Sequence, residues 1–354
     1  MERIVVAMSG GVDSSVAAGL MVEYGYEAVG VTMSLAGGGS RCCSLADSDD
    51  ARRVADRLGM RHFVANYADL FRRDVQESFA DEYLAGRTPI PCVTCNTKFK
   101  FEHLLERARV FGADLVASGH YARIDIDPET GLRRLRTAAD ASKDQTYFLF
   151  ELSQEQLACV VFPLGDMTKE AVREAARRMG LATAEKPESQ EICFVPDGDY
   201  AAAVERIRPM QVPGPGDIVD GEGQVVGRHA GIHRFTVGQR RGIGVSAPKA
   251  QYVTAIDATH NRVEIGPEER LAAREADVER VSWISGRPPA RGSRARVKIR
   301  YRDSGAMADL EPQPGGRVRV GFDEAVRAVT PGQAAVFYDG DRVLGGGWIV
   351  GSRR

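Results

Sequence analysis

Two groups of residues in this chain are of types and spacings that could do chemistry. The first is a set of thiols: the adjacent pair Cys42-Cys43, Cys92-x-x-Cys95, Cys159 and Cys193, six cysteines in all. A thiolate is both a nucleophile and a soft-metal ligand. Cys159, inside Leu157-Ala158-Cys159-Val160-Val161-Phe162, reads as a small buried hydrophobe. Cys92 and Cys95 follow Pro89 and Pro91, which predict a loop through Cys92 and a helix opening near Lys98. A thiol just before a helix has its thiolate favoured by the dipole. Cys193 sits in the polar-flanked segment Ser189-Gln190-Glu191-Ile192-Cys193-Phe194.

The second group is Ser9-Gly10-Gly11-Val12-Asp13-Ser14-Ser15, between the apolar run Ile4 to Met8 and a helical pattern over Ser14 to Tyr24. Glycines there let backbone approach a phosphate, and the following helix offers unpaired N–H groups and a positive dipole end. The loop has no lysine, so it is not a Walker A motif.

The elements that must position these residues follow from periodicity. Apolar runs at Ile4 to Met8, Val29 to Met33, His62 to Asn66 and Asp114 to Ser118 alternate with helical patterns at Asp47 to Leu58, Phe99 to Val110 and Thr168 to Met179. This predicts an α/β domain on a parallel sheet over residues 1–205. Pro209, Pro213, Gly214, Pro215 and Gly216 mark a linker. Short strand-like runs then predict two small all-β units: a central one over 206–280 and a C-terminal β-barrel over 281–354, joined through Trp283 to Pro289.

No run approaches the ~18 apolar residues of a membrane span, and the N-terminal apolar stretch is too short for a secretory signal, so a cytoplasmic protein without membrane contact is expected. Lys+Arg 47 against Asp+Glu 49 gives a formal charge of -2, so nucleic acid would have to meet local patches. One candidate is Arg294, Arg296, Lys298, Arg300 and Arg302, alternating with Ala295, Val297, Ile299 and Tyr301, which on a strand places the cations on one face.

The glycine loop resembles the PP-loop of N-type ATP pyrophosphatases. Taken in order with Gly86 to Asn96, Ser118-Gly119-His120-Tyr121-Ala122-Arg123, Lys143-Asp144-Gln145, Ile192-Cys193-Phe194 and Thr330-Pro331-Gly332-Gln333, it makes the whole chain resemble the bacterial tRNA-specific 2-thiouridylases. The resemblance implies that Ala7, Met8, Ser9, Gly10, Gly11, Val12, Asp13 and Ser14 line ATP. Met33 would contact the adenine, Gly119 would complete the pocket, and Asp13 would help place Mg²⁺. It implies a catalytic pair, with Cys193 carrying a persulfide and Cys95 acting as nucleophile. It places tRNA contacts at His120, Lys143, Asp144, Gln145, Arg300, Tyr301 and Gln333. Its sulfur would come from a sulfur-relay or cysteine desulfurase donor protein.

The reaction so implied is 2-thiolation of the wobble uridine: adenylation of the C2 carbonyl oxygen, then sulfur transfer, with AMP and pyrophosphate released. An alternative has Cys92, Cys95 and Cys193 ligating an iron–sulfur cluster with one open iron, since thiolates at this spacing suit soft metals. A different PP-loop adenylating enzyme, such as an amidotransferase or lysidine synthetase, leaves the two-cysteine layout without a role. A nucleotide- or cluster-binding RNA-binding protein without turnover leaves Asp13, Cys95 and Cys193 together unexplained.

Overall fold

The computed structural model describes residues 1–35, 45–187, 192–195 and 197–354. Cys42, Cys43 and Ser189-Gln190-Glu191 lie outside these described residues. The chain opens with β1 (Arg3–Ala7), α1 (Val12–Glu23), β2 (Glu27–Ser34), α2 (Leu45–Leu58) and β3 (Arg61–Asn66). A long helix α3 spans 68–84, and a second, α4, spans 91–110; each contains a stretch of wide π-type turns, Arg72–Glu77 and Cys95–His103. Then follow β4 (Leu115–Ala117), the hairpin β5 (Ala122–Ile126) and β6 (Arg133–Thr137), α5 (Gln154–Ala158), β7 (Val160–Val161), α6 (Lys169–Arg178) and α7 (Tyr200–Ile207).

The first sheet has the order β3-β2-β1-β4-β7 and every pairing in it is parallel. Ile4, Val5, Val6, Val29 and Val116 are wholly buried, as continuous apolar strands covered on both faces must be. The strand order reverses beside β1, with β2 on one side and β4 on the other. Ligands of open parallel sheets bind at the carboxyl ends of the strands at such a switch point. The loop after β1 carries the glycines, and the loop after β4 carries Gly119.

Beyond the Pro/Gly segment come β8 (Gly216–Val219), β9 (Val225–His229), β10 (Tyr252–Asp257) and β11 (Arg262–Gly266), a four-stranded sheet ordered β10-β11-β8-β9. The last unit comprises β12 (Ala272–Trp283), β13 (Ser293–Lys298), β14 (Ala306–Gln313), β15 (Arg317–Arg327), β16 (Ala334–Asp339) and β17 (Arg342–Arg353). β12 pairs with both β15 and β17, closing the barrel. The boundary expected at 281 falls inside β12. Its inward residues Ala273, Ala276 and Val278 are small and separated by charges, so the run lacks the bulky signal of a strand.

Two further expectations are corrected. The basic run does not stay in one strand: β13 ends at Lys298, and Arg300, Tyr301 and Arg302 lie in the turn beyond it. Ala295, Val297 and Ile299 do face the barrel core, but Arg294 is ion-paired across the sheet with Asp309 at 3.1 Å and Asp323 at 2.5 Å. The prolines before Cys92 do not exclude a helix either. Pro91 occupies the first turn of α4, where its missing N–H has no intrahelical partner to lose. Cys92 and Cys95 are therefore both helical.

Candidate active site

The glycine loop is shaped by contacts that only these residues allow. Gly10 has φ +71°, and a Cβ there would lie 2.2 Å from the Asp47 carbonyl oxygen of α2. Lys186 fixes the same corner: its ammonium donates to Gly10 O at 2.9 Å, to Asp47 at 2.7 Å and to Asp50 at 2.7 Å. The Ser14 and Ser15 hydroxyls donate to Gly11 O at 3.0 and 2.8 Å, holding the turn into α1. The N-cap of α1 is Gly11, with no side-chain cap bond, so the first amides of the helix keep their affinity for an anion. Ala7, Ser9, Gly11 and Asp13 are the accessible loop members; Met8, Gly10, Val12 and Ser14 are buried beneath them.

From the other side of the switch point, Gly119 packs directly on the loop. A Cβ there would sit 2.7 Å from Asp13 C and Ser14 N. Tyr121, two residues on, donates its hydroxyl to Asp13 Oδ1 at 2.8 Å. Lys169, the first residue of α6, donates to Asp13 Oδ1 at 2.7 Å and Oδ2 at 2.9 Å. Met33 closes the carboxyl end of β2 and is 6% exposed. Neither Lys169 nor Lys186 stood out in the sequence. A lysine at the first helical position, against the dipole, is the one local signal that could have flagged Lys169.

Two of the four described thiols gather on one apolar cluster. Cys95 and Cys193 are both half-buried and both pack on the core that contains Phe71, Phe79, Phe99 and Phe194. Phe71 stands between the two segments, 5.6 Å from Phe99 and 5.8 Å from Phe194 by ring centroids. Phe99 lies one helical turn after Cys95, and Phe194 is the neighbour of Cys193. Cys92 is exposed. No disulfide joins the described cysteines. Among the described residues no three His, Cys, Asp or Glu side chains are grouped to hold a metal ion, so Cys92, Cys95 and Cys193 do not form a ready cluster site.

The residues expected to meet tRNA fall into two sets. Lys143, Gln145, Arg300, Tyr301 and Gln333 are partly exposed. Tyr301 packs against Phe148 at 4.5 Å, which brings the turn after β13 to the 143–148 segment. Arg300 donates to the carbonyls of Arg327 and Ala328. Gln333 donates to Thr88 O at 2.9 Å, tying the barrel to the segment that leads into α4. His120 and Asp144, by contrast, are buried. Asp144 accepts from Ala138 N and from the Thr146 hydroxyl. His120 lies between Phe101 and Phe162, 2.8 Å from Ser118 Oγ and 3.4 Å from Lys100 Nζ. Burial, and then the Lys100 charge, hold its pKa well below the ordinary histidine value, so it is a neutral side chain.

A parallel α/β sheet with a lysine-free glycine loop at its switch point, continued by two β-barrel units, is the architecture of a PP-loop nucleotide-binding protein with appended barrels. Family models cover nearly all of it: a tRNA methyl transferase HUP domain over residues 2–197, a tRNA methyl transferase PRC-barrel domain over 204–267, and an aminomethyltransferase beta-barrel domain over 273–349. The tRNA-specific 2-thiouridylase MnmA of Acidobacterium capsulatum is 49% identical over 370 residues, covering 99% of each chain. That of Heliobacterium modesticaldum is 49% identical, over 99% of this chain and 92% of its own. That of Geobacter metallireducens is 50% identical, over 98% and 96%. The chain belongs to the bacterial tRNA-specific 2-thiouridylase family of the PP-loop superfamily.

Proposed function

We propose that this chain converts the wobble uridine of tRNA to 2-thiouridine by adenylating its C2 oxygen and delivering sulfur from a persulfide on Cys193. As a family member it is a tRNA-uridine 2-sulfurtransferase that uses ATP. The finer mechanism rests on one observation above all: the Phe99–Phe71–Phe194 contacts bring the Cys95 helix and the Cys193 segment to one apolar cluster.

Oxide is a poor leaving group, so the C2 carbonyl must first be activated. The uridine O2 attacks the α-phosphorus of ATP, the bond to the bridging oxygen breaks, and pyrophosphate leaves. Loop amides and the α1 N-terminus offset the phosphate charge. The outer sulfur of the Cys193 persulfide then attacks C2, and AMP leaves with the bonding pair. Cys95 thiolate attacks the inner Cys193 sulfur, so the 2-thiouridine departs with its sulfur at the sulfide level and a Cys95–Cys193 disulfide remains. A thiol reductant resets the pair, and a donor protein reloads Cys193. These requirements suit a cytoplasmic enzyme; no helix among the described residues is long and apolar enough to cross a membrane.

Mg²⁺ would arrive on the ATP phosphates, since it keeps several waters and needs few protein ligands. Asp13 is the carboxylate at the loop mouth, and it is occupied by Lys169, so no step is assigned to a protein-held metal. Lys143, Gln145, Arg300, Tyr301 and Gln333 form the proposed tRNA face, with His120 and Asp144 bracing it from behind. The test is incubation with bulk tRNA, ATP and a persulfide donor, reading nucleotide products and nucleosides by mass spectrometry. AMP, pyrophosphate and 2-thiouridine are expected; ADP with orthophosphate would overturn the adenylation.

A further inference from the structure

We propose that Lys100 is a further catalytic residue, acting in the sulfur-transfer step: its ammonium binds the phosphoryl group of the adenylated uridine and offsets the charge that AMP gains on leaving. This rests on the thiolation reading given above, in which uridine C2 lies between the glycine loop and the thiols.

The first observation is the helix. Cys95 and Lys100 both lie in the π-type turns of α4, Cys95–His103. In a regular α-helix, at about 100° per residue, a side chain five positions on would stand about 140° away. Wide turns bond residue i to residue i+5, which returns position 100 to the face of position 95. Helical side chains also lean towards the N-terminus, here towards the Cys95 turn. The second observation is where the ammonium ends. Lys100 Nζ lies 3.4 Å from His120 Nε2. His120 directly follows Gly119, the residue that packs on Asp13 and Ser14 of the loop. One side chain therefore runs from the helix of Cys95 to the strand end beside the glycine loop, the interval that the reacting atoms occupy in the proposed reaction.

The third observation is that this charge has no counterion. Lys100 is half-buried and makes no ion pair among the described residues, whereas its neighbour Lys98 turns to Asp74 at 4.0 Å. Buried charges are ordinarily paired. The partner of Lys100 is instead an imidazole that burial, and then the Lys100 charge, keep neutral. An ammonium can only donate, so His120 Nε2 accepts and the ring proton sits on Nδ1, 2.8 Å from Ser118 Oγ. His120 thus holds the ammonium in place without cancelling its charge. The electron count selects the step. Adenylation leaves the phosphoryl group with the single negative charge it had in ATP. When the persulfide sulfur attacks C2, the C2–O2 bond breaks, its electron pair stays on O2, and AMP departs as a dianion. Lys100 offsets that second charge and keeps its own proton. An interaction that strengthens only as the leaving group departs lowers the barrier without tightening ATP binding.

The experiment is a rapid-quench single turnover of the full-length protein with tRNA, ATP and a persulfide donor, for wild type, Lys100→Met, Lys100→Gln and Lys100→Arg. Pyrophosphate, adenylated tRNA and 2-thiouridine are each quantified, with ATP and tRNA isotherms and a thermal melt for every variant. Lys100→Met and Lys100→Gln are expected to slow 2-thiouridine formation by about 100- to 1,000-fold, the usual loss for one preorganised electrostatic donor. Pyrophosphate release and both affinities stay near wild type, so adenylated tRNA accumulates. Lys100→Arg keeps the charge in a different shape and is expected to be slowed at the same step, but less. Thiolation at the wild-type rate in a neutral variant would overturn the proposal. So would a loss of ATP or tRNA affinity that accounts for the slower rate, or an equal slowing of pyrophosphate release, since Lys100 would then serve substrate binding or both steps alike. If neither neutral variant folds, Lys100→Arg decides: selective slowing of sulfur transfer upholds the role, and its absence overturns it. A wild-type protein that makes no 2-thiouridine would refute the thiolation reading itself, whereas wild-type thiolation beside a fully active Lys100→Met refutes this inference alone.

Discussion

Gly119→Ala isolates the close contact between the loop after β4 and the PP-loop. Its φ is not in the left-handed region, so the added methyl brings no backbone penalty, only a collision. The new Cβ would stand 2.7 Å from Asp13 C and Ser14 N, both backbone atoms that cannot rotate aside. Restoring ordinary contact requires the loop to retreat by roughly 0.7 Å. Overpacking of this kind costs about 1–3 kcal/mol. A displacement approaching 1 Å at a site that positions reactants costs up to ~100-fold in rate. Stability should therefore fall modestly, while tRNA-dependent pyrophosphate release falls by about 10- to 100-fold. The assay is pyrophosphate release at saturating ATP and tRNA, paired with a thermal melt and an ATP isotherm. A Gly119→Ala protein that releases pyrophosphate at the wild-type rate would refute the claim that this contact sets the loop.

The cysteines are separable: Cys95→Ser and Cys193→Ser should each stop 2-thiouridine formation while pyrophosphate release persists, whereas Cys92→Ala and Cys159→Ser should retain thiolation. Iron-dependent activity together with its loss in Cys92→Ala would instead establish cluster chemistry. Arg300→Ala should weaken tRNA binding and reduce the log–log salt slope by about 0.7–0.9 for each phosphate that Arg300 neutralises; an unchanged slope would leave Arg300 only the anchor of the carbonyls at Arg327 and Ala328. His120 titrates well below 6.5 in the folded protein because it is buried. Below pH 6.5 the unfolded chain takes up a proton that the folded one refuses, so stability falls with falling pH by up to about 1.4 kcal/mol per unit. His120→Asn should flatten that part of the melting-temperature profile between pH 7 and 5, and an unchanged slope would show that His120 is not its source.

Local pattern made much of this molecule legible. A Gly-Gly turn between an apolar strand and a helix has few other uses, so the PP-loop and the parallel sheet could be read from Ile4 to Tyr24 and the alternation that follows. The helix through Cys92 was hidden because proline reads as a helix breaker, whereas at a first turn it is an initiator. The barrel strand β12 was hidden because Ala273 and Ala276 fill a crowded closure with small side chains. The site lysines were hidden for a different reason. Lys169 reaches Asp13 across 156 positions and Lys186 reaches Gly10 across 176, and no local periodicity records such a pairing. The buried state of His120 and Asp144 was likewise beyond reach, because a polar residue in a short motif reads the same whether it faces a ligand or braces a wall.

The barrel is built into the nucleotide domain rather than hung from it. The hairpin β5–β6 leaves the nucleotide domain and joins β17, where Arg136 and Arg123 share Asp341. Thr88 N donates to Pro331 O at 2.8 Å, and Gln333 returns a bond to Thr88 O, so the barrel grips the segment just before the cysteine helix. From the helix itself, buried Asn96, next to Cys95, donates to Phe148 O, and Phe148 packs on Tyr301 of the barrel. The π-type turns that begin at Cys95 lie within this brace, where such turns often mark functional positions. Helix α4 is thus clamped between the barrel on one side and, through Phe99 and Phe71, the cluster that carries Cys193 on the other. A nucleic acid seated on Lys143, Gln145, Arg300 and Tyr301 would bear on the same brace. Under the proposed mechanism, the barrel would contribute to catalysis by fixing where Cys95 stands relative to the bound base, besides any affinity it adds for tRNA.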